Sequence, residues 1–201
     1  SWVVFESGPF GATYAHALGI RPHVDRANPI LALIGSPTEL TKLQSDRLES
    51  QSGVDLITVD DPASDVSQLL SRLRASAEIG KTVIGIRTTS RDGSAPDPLH
   101  ASQMLALIID LAVECADSMQ FDGIYASGGD VAFAVLDALG ARGYEVENEV
   151  VPLAVSGKLV GGPHDGLGFA TKGGLVGDAD AAVECINQLR SRIRQSEPRI
   201  V

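Results

Sequence analysis

Short apolar runs separated by amphipathic segments constrain this chain more than any other feature, because that alternation marks parallel strands joined by crossover helices. The runs fall at 3–6, 30–34, 56–59, 83–87, 123–126, 151–155 and 167–171, and the helical segments at about 12–18, 39–50, 64–78, 99–117, 130–141 and 178–194. The expected fold is a Rossmann-like, layered α/β domain with a largely parallel sheet flanked by helices. In 64–78, Val66, Leu69, Leu70, Leu73 and Ala77 share one helical face behind a Ser64 cap. The segment 101–115 is apolar nearly all round, which suggests either a helix enclosed on both sides or one at a subunit contact, as in a homodimer. Residues 145–168 are rich in glycine and have β character, the pattern of an antiparallel excursion before the last strand. The polar stretch 88–98 reads as the most mobile loop. No repeat or linker divides the chain, so 1–201 reads as a single domain.

A chain of 201 residues buries enough surface to need no staples. Its 26 acidic and 16 basic residues leave a net charge of −10, which opposes contact with nucleic-acid backbones and anionic membranes. The longest apolar stretch, Met104 to Val113, is interrupted by Asp110 and falls short of the roughly 20 residues a spanning helix needs. Cys115 and Cys185 have no histidine pattern beside them, so they read as buried or idle thiols in a reducing cytoplasm. The first residues carry no basic leader and open on an expected core strand, as if the chain started inside a longer protein.

Three glycine-bearing turns fall at expected strand ends, the edge where open α/β sheets hold ligands. Gly35-Ser36-Pro37-Thr38 leads into a helix, offering backbone amides and hydroxyls to an anion. Ser127-Gly128-Gly129-Asp130 lets the backbone approach a ligand closely. Thr171-Lys172-Gly173-Gly174 adds a lysine positioned for phosphate. Asp130 has two readings: a helix cap or first-turn acid, or a group that holds a magnesium water or a ribose hydroxyl.

Other motifs fail on context. Ala75 to Thr82 nearly spells a phosphate loop, but it lacks the first glycine and runs from helix into strand rather than the reverse. Gly8-Pro9-Phe10-Gly11 is not a dinucleotide fingerprint, and His164-Asp165 has no nucleophile elbow to serve. No carboxylate pair, histidine cluster or activated nucleophile forms a self-sufficient catalytic set. The residues alone therefore lead to a nucleotide or phosphate binder.

Ile34-Gly35-Ser36-Pro37-Thr38 with Thr41 and Gln44, then Tyr125-Ala126-Ser127-Gly128-Gly129-Asp130-Val131-Ala132, then Thr171-Lys172-Gly173-Gly174-Leu175-Val176-Gly177, resemble the nucleotide-binding, C-terminal domain of the four-carbon acid sugar kinases. The resemblance implies transfer of the γ-phosphoryl group of ATP to a hydroxyl of a small sugar acid, a tetronate or oxo-tetronate, with ATP and Mg2+ as cofactors. It places Ser36, Thr38, Ser127, Gly128, Gly129, Asp130, Lys172, Gly173 and Gly174 at the ATP site. Such kinases have a second, N-terminal domain with an Asp-Asp-x-Thr-Gly signature for substrate, and that motif is absent here. Pro37-Thr38 stands where the family has a small residue followed by Ser, and Val131 where it has Thr. The alternative reading is a non-catalytic nucleotide or metabolite sensor, or an oligomerisation domain.

Overall fold

The computed structural model describes residues 28–89 and 97–196. The elements expected at 3–6 and 12–18, and most of the loop expected at 88–98, lie outside the described residues. In order, the chain forms β1 (Ile30–Ile34), α1 (Glu39–Glu49), β2 (Val54–Val59), α2 (Val66–Glu78), β3 (Val83–Thr88), α3 (Pro98–Ser118), β4 (Gly123–Ser127), α4 (Gly129–Ala138), β5 (Gly143–Val151), β6 (Ala154–Val160), β7 (Gly168–Lys172) and α5 (Ala181–Ser196). The sheet has 7 strands in the order β2-β3-β1-β4-β7-β6-β5. Strands β2, β3, β1, β4 and β7 are parallel, and β6 and β5 continue the sheet antiparallel.

β1 reads Ile-Leu-Ala-Leu-Ile and is buried at every position, as a strand covered on both faces must be. Leu31 and Leu33 point into a core shared with Ile84, Ile86 and Ile124 and with the apolar faces of α2, α3 and α4. Ile30, Ala32 and Ile34 point the other way, into a core closed by Leu48 of α1 and by Cys185, Ile186 and Leu189 of α5. Two helical layers thus sandwich the sheet. Both cysteines are buried, and burial pushes each thiol up to about 12, so both stay protonated at neutral pH.

Three of the expected details change. The α2 cap is Asp65, whose carboxylate accepts from the amides of Ser67 and Gln68, and the helix starts one residue beyond it; Ser64 stays outside. The strand expected at 151–155 is instead the corner of a hairpin, with β5 ending at Val151 and β6 beginning at Ala154. Pro152 has no amide to offer a ladder, and Leu153 turns the chain at φ 67. The antiparallel excursion itself is present as β5 and β6. Helix α3 runs for 21 residues, so by length and composition alone it could cross a membrane, contrary to the shorter apolar run expected. It is a core helix on one side only: Met104, Leu107, Ile108, Leu111, Ala112 and Cys115 are buried, whereas Asp110, Glu114 and Asp117 are exposed.

Candidate functional site

The helix after β1 packs on one face of the sheet and the helix after β4 on the other, although β1 and β4 are neighbours. Between them the strand order reverses, and a crevice opens at their C-terminal ends. A cavity of about 320 Å³ lies there. Its walls are Gly35, Ser36 and Pro37 after β1, Gly128 to Val131 after β4, Gly174 after β7, and Thr88 and Thr89 at the end of β3. His100, Met104, Leu105 and Ile108 of α3 close an apolar side.

Backbone pairing continues past the strand ends and sets these turns side by side. The Gly35 amide donates to the Ser127 carbonyl at 3.1 Å, and the Gly128 amide to the Lys172 carbonyl at 2.9 Å. Helix α1 then clasps the third turn. The hydroxyls of Thr38 and Thr41 both donate to the Gly174 carbonyl at 2.9 Å. One turn of helix further on, Gln44 Nε2 donates to the carbonyls of Val176 at 2.9 Å and Asp178 at 2.6 Å. Thr41 and Gln44 are buried polar residues on a helix face that packs against the sheet, and these bonds are what permit their burial.

The start of α4 is built differently from those of α1, α2 and α3. The latter are capped by Thr38, Asp65 and Asp97, each side chain accepting from first-turn amides. The cap position of helix α4 is Gly128, which has φ 111 and supplies no side-chain cap. A residue with a Cβ is strained there. The first-turn amides of α4 have no acceptor within their own helix, and they open where the cavity lies. Partial positive charge at an uncapped helix start, inside a crevice, is an anion site in waiting.

Of the residues expected at the site, Ser36, Gly128, Gly129, Asp130 and Gly174 line this one cavity. Thr38 lines an adjoining cavity of about 330 Å³ that shares Ser36, Pro37, Thr88 and Thr89 with the first. Ser127, Lys172 and Gly173 stand behind the walls. Ser127 is fully buried, and its Oγ has no hydrogen-bond partner among the described residues. Lys172, expected to meet phosphate directly, is 2% exposed and turns its ammonium onto the Gly173 carbonyl at 3.0 Å. The residues that the sequence reading missed are Thr88 and Thr89 at the end of β3 and those of α3. The α3 stripe of Met104, Leu105 and Ile108 looks like core, and nothing in the periodicity separates a cavity wall from a core face.

Asp130 sits in the first turn of α4, exposed, and does not cap the helix. Among the described residues it is the sole carboxylate in the cavity lining. Among the described residues no group of three or more His, Cys, Asp or Glu gathers into a metal cage. One carboxylate beside a phosphate cradle nevertheless suits magnesium, which is usually held by one or two carboxylates, water and substrate phosphates.

An anion cradle at the switch point of a doubly wound sheet, with an apolar wall beside it, is the layout of the nucleotide-binding α/β domains. Residues 31–182 match the family described as the nucleotide-binding C-terminal domain, and the chain belongs to that family, the C-terminal half of the four-carbon acid sugar kinases. Over 219 residues it is 35% identical to a D-erythronate kinase from Heliobacterium modesticaldum, covering 96% of this chain and 49% of that protein. A D-threonate kinase from Salmonella typhimurium is 27% identical, over 74% of this chain and 40% of the relative. A solved domain of unknown function from Bordetella bronchiseptica, a domain-swapped dimer with bound citrate, superposes with a TM-score of 0.70 at 26% identity, over 82% of this chain and 41% of that one. The chain thus spans about half the length of the curated relatives it matches, or less.

Proposed function

We propose that this chain is the ATP-binding half of a kinase that phosphorylates a four-carbon sugar acid of the erythronate or threonate type, with the acid held by the half of the longer relatives that this chain does not cover. The observation that carries the reading is the meeting of the turns after β1, β4 and β7 in one cavity around the uncapped start of α4. In this reading the phosphates lie on the amides of Gly129 and Asp130 and against Ser36 and Gly174, and the base lies toward Met104, Leu105 and Ile108. Thr38, Ser127, Lys172 and Gly173 support that surface from behind. Asp130 would hold magnesium, which when bound neutralises charge on the transferred phosphoryl group. Phosphoryl transfer asks mainly for positioning and charge stabilisation, and rigidly tied backbone amides provide both without reorganisation. The names and match lengths of the relatives support the substrate class and the division of labour.

Calorimetry with Mg-ATP and Mg-ADP tests the reading. Binding is expected, and a folded domain that takes up neither nucleotide at millimolar concentration would sink it. A Cβ built on Gly129 meets nothing within 4 Å, so Gly129→Val is expected to fold normally. The added bulk at the cavity wall should weaken nucleotide binding at least about tenfold, or about 1.4 kcal/mol. An unchanged affinity removes that turn from the site. Asp130→Asn is expected to weaken binding in the presence of magnesium and to leave magnesium-free binding almost unaltered. Equal responses in the two titrations would mean that Asp130 touches no metal.

A further inference from the structure

Among the described residues the cavity walls contain no lysine or arginine, although a nucleotide triphosphate brings several negative charges to a chain whose own net charge is −10. Two cations, Lys42 and Arg87, open onto the adjoining cavity instead, and Arg87 is engaged by Asp46 and Glu49 of α1. Lys172 is different. It is 2% exposed, and its ammonium makes one hydrogen bond, to the carbonyl of the next residue, with no carboxylate in range among the described residues. Its backbone carbonyl accepts from the Gly128 amide at 2.9 Å, while its side chain holds Gly173. The main chain at residue 172 thus holds the second turn, and the lysine side chain adds a hold on the third.

We propose that Lys172 is the buried counter-charge of the phosphate cradle: a positioning residue whose ammonium holds the Gly173 carbonyl of the third turn and keeps a positive charge behind the cradle. This rests on the nucleotide reading above. An ammonium buried without an anionic partner opposes folding, so no stability argument accounts for a lysine at this place. The Cys185 thiol beside it stays protonated at neutral pH and offers no compensation. Burial draws the Lys172 pKa below the ordinary lysine range, as expected of a charge lacking its partner. Phosphates bound on the far side of the turn are the missing anion. A group that costs stability and is satisfied only by ligand is the kind of strain that binding sites retain.

The test uses Lys172→Met, which removes charge and hydrogen bond, and Lys172→Gln, which removes the charge but keeps a donor. Melting of each ligand-free variant is compared with wild type, and ATP, ADP and AMP are titrated into all three proteins. Both variants are expected to melt no lower than wild type, to lose at least about tenfold in ATP affinity, and to change AMP affinity by no more than about twofold. A lower melting temperature in both variants, an equal loss for ATP and AMP, or unchanged ATP affinity would each overturn the proposal. Failure of the wild type to bind any nucleotide would instead remove the reading on which it rests.

Discussion

Gly174→Ala is expected to weaken nucleotide binding severely, and by a route that can be traced atom by atom. An ideal Cβ on Gly174 would lie 2.1 Å from Ser36 Oγ and 2.9 Å from Ser36 Cβ. A rotation of the serine relieves the first clash and not the second. The third turn cannot retreat either, because its carbonyl at residue 174 is held by two threonine hydroxyls of α1. The methyl group must therefore separate the first turn from the third, and these are two of the three walls that form the cradle. Overpacking of this kind costs about 1–3 kcal/mol, which corresponds to about 5- to 150-fold if it falls on binding. Calorimetry and thermal melting distinguish its two destinations. A variant with wild-type nucleotide affinity would show that the contact between Ser36 and Gly174 has no part in the site.

The second large effect is expected at Gln44, which never reaches the cavity lining. Its amide nitrogen is buried and satisfies the carbonyls of Val176 and Asp178, so Gln44→Leu deletes both bonds at nearly constant volume. The Asp178 carbonyl keeps the Ala181 amide as a donor, so the cost falls mainly on the partly buried Val176 carbonyl, at about 1–3 kcal/mol. In a domain of this size that lowers the melting temperature by about 2–4 °C per kcal/mol. One term acts in the opposite direction: Gln44 Oε1 is buried without a partner, and leucine removes that debt. Gln44→Glu is the informative companion, since it places a carboxylate oxygen against two carbonyls and is expected to destabilise more than leucine does. If the glutamate variant melts like wild type, the clasp between α1 and the third turn does not hold the loop.

Much of this architecture is legible in the order of residues, and the reasons differ by element. The run 30–34 is a strand at its expected limits because five apolar residues bounded by Pro29 and Gly35 can form a strand buried on both faces and little else. The turns at Ser36, Gly129 and Gly174 are legible because glycine and hydroxyl residues mark the places where a chain leaves a sheet. The inward face of α1 carries Thr41, Gln44, Ser45 and Leu48. The sequence sets Thr41 and Gln44 apart only through the family resemblance, because polar residues on a helix do not by themselves say that they are buried. The inward turn of Lys172 likewise carries no signal. β7 is covered on both sides, and without apolar and polar alternation a sequence does not say which face its last residue takes. Pro152 was the available warning against a strand across 151–155, and its missing amide outweighs the β propensity of its valine neighbours.

The hairpin that finishes the sheet leaves β5 as its outermost strand, with Glu145, Glu147 and Glu149 along it and with irregular register against β6. Glu145 and Glu147 reach Lys158 of β6, and Glu147 also meets Arg192 of α5, so part of this acidity is spent on the molecule itself. An open sheet can otherwise recruit a strand from a neighbouring copy and grow into a precipitate. Here an approaching strand would meet carboxylates and a kinked backbone, which makes that rim a poor template for fibrous growth.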